Sequence, residues 1–267
     1  MTDLYVYGIV PAGPDTAGLD PARLGSGIDG AALELVRARE GIAAVVHRHS
    51  EPPYSGSDEA AERRVLEHSE VVERCWAATK AILPMGFNVI VTPGDGASAE
   101  GRLAEWLNRS APALARRLEA LRGLVELRVE ISLQEDAAGS GSAEVRELEE
   151  SLRERPAGVQ RLLRRRLESL RRATAEETAD RLYPEYRRRL ARLSRDLTEN
   201  VRGHPPEGCV TVLNVAVLAD EAGITPIGAE LGDIEAEEPG VRVTFLGPWP
   251  PFSFADVPDL PSVEWTA

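Results

Sequence analysis

Eight residues near the end of the sequence constrain how the chain can fold, because residues 247–254 hold three prolines and three aromatic side chains. Residues 241–246, just before them, alternate apolar and polar side chains, which predicts a β-strand. Proline lacks the N–H that a strand ladder needs and fixes its own φ. The strand is therefore expected to stop there and to continue as a stiff, extended arm.

The arm, defined as residues 247–254, has two interpretations. It either clamps over the protein's own sheet, or its rings also dock on a partner, as aromatic anchors commonly do. A stiff segment loses little entropy on docking, and each ring can bury about 150–250 Å². The candidate partner-binding residues are Trp249, Pro250, Pro251, Phe252 and Phe254.

Composition narrows the class of protein. A chain of 267 residues is long enough for two domains. Cys75 and Cys209 form no CxxC pattern, which favours a reducing compartment, argues against structural zinc and suggests two core thiols. The sequence has no secretion-signal pattern and no run of about 18 apolar residues, so a cytoplasmic protein is expected. A net charge of −13 opposes binding to nucleic acid or to a lipid membrane.

The first part of the sequence predicts an N-terminal α+β domain over residues 1–122. Residues 4–10 are rich in β-formers and predict a strand. Residues 32–39 and 42–49 predict a hairpin, and helix formers fill residues 58–80. A helix from Ser98 and a second one beginning at Pro112 are expected to follow. The helix over 58–80 is expected to bury a broad apolar stripe, namely Val65, Leu66, His68, Val71, Val72, Cys75 and Trp76.

Three motifs in this domain suggest chemistry, but each has a simpler interpretation. Residues 25–30 match G-x-G-x-x-G, yet a loop precedes them and a strand-like segment follows, so a plain turn is predicted rather than a cofactor site. His47 and His49 form at most half a metal site, so they are expected to be exposed polar residues at a strand end. His68 lies on the buried helix face and is expected to be a core histidine with a hydrogen-bond partner.

No nucleophile elbow, phosphate loop or HExxH motif occurs in the sequence. The sequence therefore predicts no catalytic residue, no cofactor and no metal, and the protein is expected not to be an enzyme.

The second part predicts a C-terminal α+β domain over residues 123–267, which includes the arm. The predicted order is strand, helices, strand, helix and strand, over residues 123–133, 143–201, 209–219, 224–238 and 241–246. This order fits a ferredoxin-like sheet with an elongated helical hairpin inserted at about residues 143–202. Residues 144–202 carry 16 arginines and 12 acidic residues, which favours an ion-paired helix surface over a nucleic-acid site. The remainder of the chain is strongly acidic, so the polarised charge would orient a partner or a self-assembly.

Several segments resemble the gas vesicle protein F/L family, accessory proteins of gas vesicle assembly. The arm reads Gly-Pro-Trp-Pro-Pro-Phe-Ser-Phe and looks like the C-terminal signature of that family. Residues 5–10, 82–87 and 213–218 look like its opening strand, its "LP…F" segment and its penultimate strand. The family usually has Arg-Phe-Gly where this chain has Gly86-Phe87-Asn88, so any contact of that arginine is absent here.

The resemblance implies a minor, gas vesicle-associated component that binds the major hydrophobic shell protein and limits its aggregation while the vesicle wall nucleates. Other gas vesicle accessory proteins would be further partners. An unassembled shell subunit exposes apolar faces that template aggregation. The arm, or an edge strand beside it, would cover such a face by apolar docking or β-augmentation. Two alternatives remain, a small-ligand-binding or regulatory ferredoxin-like module and a structural oligomer built through the helical hairpin.

Overall fold

The computed structural model describes residues 2–13, 19–55, 58–94, 96–140, 142–153, 155–200 and 205–258. The fold mixes helices and sheets, which confirms the α+β class. By its contacts the chain divides into two compact units. The first unit is Met1–Leu124 together with Trp249–Ala267, and the second is Val125–Pro248.

The first unit, in its described residues, has a five-stranded sheet built around its first strand. The strands are β1 (Asp3–Pro11), β2 (Leu33–Arg37), β3 (Ile42–His49), β4 (Leu83–Pro84) and β5 (Ile90–Val91). The helices are α1 (Asp58–Thr79) and α2 (Ala99–Ala120). β1 pairs antiparallel with β3 on one side and with the short strands β4 and β5 on the other, while β2 pairs antiparallel with β3.

The predicted hairpin of β2 and β3 is confirmed. Its turn contains Gly41 at φ +70°, a backbone conformation that glycine adopts without a Cβ clash. The register pairs Leu33 with His47 and Arg37 with Ala43. All residues of β3 except Arg48 are buried, so this strand lies in the interior of the unit.

α2 differs from the prediction, because it is one continuous helix with Pro112 inside it. A proline removes one helical hydrogen bond. Here the buried Leu107 and Leu114, on either side of it, keep both halves packed in the core. Ser98 caps the helix as predicted, since its Oγ accepts a 3.1 Å hydrogen bond from the backbone N–H of Gly101.

The apolar stripe predicted on α1 is partly wrong. His68, Val71, Val72 and Cys75 are buried, whereas Val65 and Leu66 are 41% and 63% exposed. Helical spacing alone made the stripe wider than the face that the sheet covers.

The second unit, as far as it is described, holds a four-stranded sheet and several helices. The strands are β6 (Leu124–Gln134), β7 (Asp196–Glu199), β8 (Cys209–Asp220) and β9 (Val241–Trp249). The helices are α3 (Glu135–Gly139), α4 (Ala143–Arg153), α5 (Ala157–Ala191) and α6 (Ile224–Glu237). The sheet order is β7-β8-β6-β9, and α5 packs against β8, α3, α4 and α6.

The helical prediction over residues 143–201 is too long at its C-terminal end. α5 continues through Pro184 and ends at Ala191, and β7 follows as a strand antiparallel to β8. This strand depends on partners about twenty residues further along, as in the pair of Asp196 with Leu218, so local propensity did not reveal it.

β9 also differs from the prediction that it stops before the arm, because the strand includes Pro248 and Trp249. β9 is an edge strand of its sheet. Proline is tolerated at an edge, where its missing N–H faces away from the neighbouring strand. Among the described helices of the whole chain, none combines the length and apolar character needed to cross a membrane.

Candidate functional site

One half of the arm is anchored in the first unit. Phe254 is only 4% exposed, and Pro250 and Pro251 are also buried. The carbonyl oxygen of Phe254 accepts a 2.8 Å hydrogen bond from Nε of Arg117 on α2. The arm is not extended throughout, because Phe252–Phe254 form a short 3-10 helix. The turn at Pro250 and Pro251 therefore directs the Phe254 ring inward.

The other half of the arm faces solvent. Trp249 is 36% exposed and Phe252 is 40% exposed, although both are large apolar side chains. The backbone N–H of Phe252 donates a 2.8 Å hydrogen bond to the carbonyl of Pro250, which holds the turn between the two rings. Of the five predicted partner-binding residues, only Trp249 and Phe252 thus remain accessible to a partner.

Gly247 begins the arm and belongs to the second unit. Its φ is +121°, which L side chains rarely adopt. A Cβ at this position would lie 2.8 Å from the carbonyl oxygen of Glu126. Glycine is therefore required here by both backbone conformation and space.

The first unit also contains a cluster of tyrosine and histidine rings that was not predicted from the sequence. We call it the Tyr–His cluster, and its rings are Tyr5, Tyr7, His47, His49, Tyr54, His68 and Phe87. His47 and His49 are 1% and 4% exposed, so the expectation that they are exposed polar residues is wrong. His68 is buried with hydrogen-bond partners, which confirms its predicted role in the core.

The hydrogen bonds of His68 define its tautomer. Its Nε2 lies 3.0 Å from the carbonyl oxygen of Met85, which can only accept, so Nε2 carries the proton. Nδ1 then accepts a 2.9 Å hydrogen bond from the Tyr5 hydroxyl. That hydroxyl itself accepts a 3.1 Å hydrogen bond from the backbone N–H of Asn88. Every polar atom of this pair is satisfied.

A second chain of hydrogen bonds runs through Tyr7. Its hydroxyl accepts from the backbone N–H of Ile28 at 2.9 Å and shares a 2.8 Å hydrogen bond with Nδ1 of His47. Nε2 of His47 shares a 3.3 Å hydrogen bond with the hydroxyl of Tyr54. Both nitrogens of this histidine are occupied as well.

The two chains are interleaved through ring stacking. Tyr5 stacks on His47 with ring centroids 4.9 Å apart, and Tyr7 stacks on His68 at 5.4 Å. Burial lowers the pKa of His47 to about 4, helped by the nearby charge of His49. Burial also lowers the pKa of His68 to about 4, against the opposing effect of its hydrogen bond to Met85. Both rings are therefore neutral at pH 7.

This cluster organises the core and has no free general base at His47 or His68. Burial raises the pKa of the Cys75 thiol to about 12, so it is not a thiolate at neutral pH. Cys209 is only half-buried at the start of β8, which differs from the expected core thiol. Within the described ranges no three His, Cys, Asp or Glu side chains are arranged to hold a metal ion.

The G-x-G-x-x-G motif serves this cluster as a turn. Residues Ile28–Gly30 form a 3-10 helix, and β2 follows it, so the predicted turn is confirmed. A Cβ on Gly27 would lie 2.3 Å from the Tyr7 hydroxyl oxygen. The small residue lets the turn approach closely enough for the N–H of Ile28 to reach that oxygen.

Gly86-Phe87-Asn88, which departs from the family pattern, also borders the cluster. Asn88 has φ +67°, a conformation suited to the glycine usual in the family. Its side chain accepts from the backbone N–H of Tyr54 and donates to the carbonyl of the same residue, both at 2.9 Å. A side chain added at Gly86 would meet no atom within 4 Å, so an arginine there would extend into open space.

The sequence did contain one usable signal for the cluster. Tyr5 and Tyr7, like His47 and His49, lie two residues apart on predicted strands, and the register pairs Tyr5 directly with His47. Two aromatic and two imidazole rings on adjacent strands form a polar aromatic face. Only the strand pairing, which is not visible in the sequence, brings them together.

The sequence is similar to known proteins along most of its length. Residues 3–256 match the family model described as gas vesicle synthesis protein GvpL/GvpF. Gas vesicle protein L1 of Halobacterium salinarum is 30% identical over 272 residues, which cover 96% of this chain and 90% of that protein. Gas vesicle protein L of Haloferax mediterranei is 27% identical, covering 88% of this chain and 73% of its own length.

Two crystal structures share the fold. The gas vesicle protein GvpF from an Anabaena species has a TM-score of 0.68 and 17% sequence identity, covering 98% of this chain and all (100%) of that one. GvpF from Microcystis aeruginosa has a TM-score of 0.66 and 16% identity, covering 96% of this chain and 100% of that chain. At this level of identity the match shows a common fold.

Proposed function

Because the chain belongs to the gas vesicle synthesis protein GvpL/GvpF family and has a gas vesicle-related role, we propose that it binds the major hydrophobic shell protein and limits its aggregation during vesicle nucleation. It acts in the cytoplasm, as a minor component associated with the vesicle and with other gas vesicle accessory proteins. Its role is binding rather than catalysis, which is consistent with the fully occupied nitrogens of His47 and His68.

The observation that carries this proposal is the division of the arm into an anchored and an exposed half. Two large rings that stay exposed in water have an unfavourable free energy unless something covers them. Phe254 and its hydrogen bond from Arg117 fix the position of the arm, so Trp249 and Phe252 lose little entropy on docking. Rigid aromatic anchors of this kind dominate the energy of many protein interfaces.

The second unit offers a further binding element. β9 is an edge strand, and its backbone can pair with an added strand from a partner. Leu246 on β9 is 48% exposed and would contribute apolar area. Unassembled shell subunits present the kind of apolar surface that such an edge covers.

We also propose that the two units are separate domains and that the second is ferredoxin-like with an elongated helical insertion. The strand order β7-β8-β6-β9 supports this assignment, because it is the antiparallel order of a split βαβ sheet. α5 connects β6 to β7 after the short helices, and α6 connects β8 to β9.

The test is a pull-down of shell protein co-expressed with this chain, combined with sedimentation of the shell protein. Wild-type protein should co-purify with the shell protein and keep it in the supernatant. The double variant Trp249→Ala/Phe252→Ala should lose at least about tenfold in binding, as expected for removing two anchors. Leu193→Ala is the matched control, because Leu193 is also 36% exposed but lies outside the arm.

Two outcomes would contradict different parts of the proposal. If the wild-type protein neither co-purifies with nor protects the shell protein, direct shell binding is wrong. If the double variant is folded and still binds like the wild type, the arm is only a structural anchor. Circular dichroism of each variant separates these outcomes from misfolding.

A small-ligand role is the alternative, and one observation favours it. A cavity of about 750 Å³ in the second unit is lined by polar and apolar residues, most of them on α5, β7 and β8. Nδ2 of the buried Asn214 lines it and has no hydrogen-bond partner within the described chain. Stabilisation of the protein by a metabolite in a thermal screen, without affinity for shell protein, would support this alternative.

A further inference from the structure

Four exposed apolar side chains lie in two pairs on helices that the arm does not involve. On α1, Val65 and Leu66 are 41% and 63% exposed. On α5, Val159 and Leu162 are 44% and 70% exposed. Single exposed leucines are common on protein surfaces, so exposure alone does not identify a binding surface. The charged residues around each pair are therefore the evidence to compare.

The pair on α5 lies in a basic surrounding. Residues three and four positions from Leu162 are its neighbours on the helix surface, and toward the C-terminus these are Arg165 and Arg166. Both arginines are exposed and make no ion pair within the described residues, whereas Arg171 on the same helix binds Asp136 and Glu149. We call this surface the basic face. It consists of Val159, Leu162, Arg165 and Arg166.

The pair on α1 lies in an acidic surrounding. The neighbours of Leu66 include the exposed Glu62 and Glu70, four positions before and after it. Arg63, also a neighbour, is already paired with Asp29 and Glu67. Glu70 has only a long 3.4 Å contact with Arg74 at the solvent-exposed helix surface. We call this surface the acidic face. It consists of Glu62, Val65, Leu66 and Glu70.

We propose that the basic face of one copy of this chain docks on the acidic face of a second copy. Each face presents an exposed leucine with two charges one turn away, and the signs of the charges are opposite. Docking would place Leu162 against Leu66, and Arg165 and Arg166 opposite Glu62 and Glu70. Such a contact joins two different surfaces, so it is heterologous and allows closed or extended assemblies.

The opposite charges of the two faces support a second copy as the occupant. With a formal charge of −13, two copies repel each other in most orientations. Local attraction arises where Arg165 and Arg166, which make no ion pair within the described residues, meet the exposed Glu62 and Glu70, whose one ion pair within those residues is the long Arg74–Glu70 contact. Complementary charge of this kind sets the register and the partner of an interface.

Sedimentation velocity of the full chain tests the contact. Wild-type protein should self-associate at about 50 mM salt and dissociate at about 300 mM, because screening shortens the reach of exposed charges. The basic-face variant Arg165→Glu/Arg166→Glu should weaken self-association by at least about tenfold, and so should the acidic-face variant Glu62→Arg/Glu70→Arg. The control Arg181→Glu/Arg188→Glu makes the same charge change at exposed positions elsewhere on α5 and should associate like the wild type.

Mixing the two variants gives the sharper measurement. Neither variant should associate alone, because its two faces carry charges of the same sign. An equimolar mixture should associate again, since the reversed basic face of one variant meets the reversed acidic face of the other. A general effect of net charge on solubility would not be restored in this way.

Three results would overturn the proposal. The proposal is wrong if the wild-type protein stays monomeric at low salt. Self-association that survives reversal of both arginines would place the contact elsewhere. If the basic-face variant loses binding to shell protein or to a nucleic acid but not to itself, the face serves that other partner. Circular dichroism and thermal midpoints of all variants exclude unfolding as the cause.

Discussion

Replacing Phe254 by alanine should destabilise the first unit far more than replacing Phe252, although the same ring is removed two residues away. Phe254 is 4% exposed and Phe252 is 40% exposed. Replacing a buried phenylalanine by alanine lowers the free energy of unfolding by about 3–5 kcal/mol, because apolar burial is lost and a cavity remains. The Phe252 ring keeps part of its surface in water and leaves no closed cavity, so its removal should cost about 1–2 kcal/mol.

Urea unfolding followed by hydrogen exchange is the suitable assay. The two units need not unfold together, so a single optical transition is not a safe measure. Exchange in peptides of α2, where Arg117 holds the Phe254 carbonyl, reports on the first unit alone. With a slope of about 2 kcal/mol per molar urea, the midpoint should fall by about 1.5–2.5 M for Phe254→Ala and by less than about 1 M for Phe252→Ala.

Equal shifts in the two variants would refute this reasoning, as would a shift below about 0.5 M for Phe254→Ala. Either result would mean that Phe254 does not anchor the arm. The complementary expectation concerns binding. Phe252→Ala should retain most of its stability and lose affinity for shell protein, so stability and binding separate at two neighbouring aromatic residues.

Two further predictions concern the Tyr–His cluster. Burial lowers the pKa of His68 from the ordinary 6.5 to about 4 in the folded protein, so the unfolded chain binds more protons between these two pH values. The free energy of unfolding should therefore fall by about 3 kcal/mol for this residue as the pH falls from about 6.5 to 4. Hydrogen exchange in β1 at several pH values measures this loss, and a flat profile above pH 5 would contradict it. Gly27→Ala should lower the free energy of unfolding by about 1–3 kcal/mol, because the added Cβ would lie 2.3 Å from the Tyr7 hydroxyl oxygen. Gly158→Ala is the control, because a Cβ at Gly158 would meet no atom within 4 Å. Equal thermal midpoints for the two variants would show that the turn at Gly27 can shift without loss of stability.

The elements that the sequence predicted well are those in which local pattern and tertiary environment agree. The strands predicted over residues 123–133 and 209–219 and the helix predicted over residues 224–238 match β6, β8 and α6. In α6, the buried residues Ile227, Leu231 and Ile234 recur at helical spacing. Gly41 marks the hairpin turn because only a positive φ closes it without a clash. In each case the residues needed for the inference lie within one element.

The wrong predictions concern residues whose burial or secondary structure depends on contacts with residues distant in the sequence. The prediction that His47 and His49 are exposed followed from the lack of further ligands that would complete a metal site beside them. Their burial depends on partners such as Tyr7, which lies 40 residues away from His47 in the sequence. A buried polar group is stable only when such a partner satisfies it. The same holds for β7, which is a strand because β8 pairs with it, and for Pro112, which is tolerated because the helix packs on both sides of it.

The candidate site shows why a recognised motif does not by itself identify a binding surface. The segment that resembles the family signature contains residues with two physical roles. Pro250, Pro251 and Phe254 are buried and hold the arm to the first unit, whereas Trp249 and Phe252 remain exposed. Selection for folding would preserve the first set and selection for a partner would preserve the second, yet both produce the same string of prolines and aromatics. Burial separates the two roles, and it restricts the proposed contact with shell protein to two of the five residues.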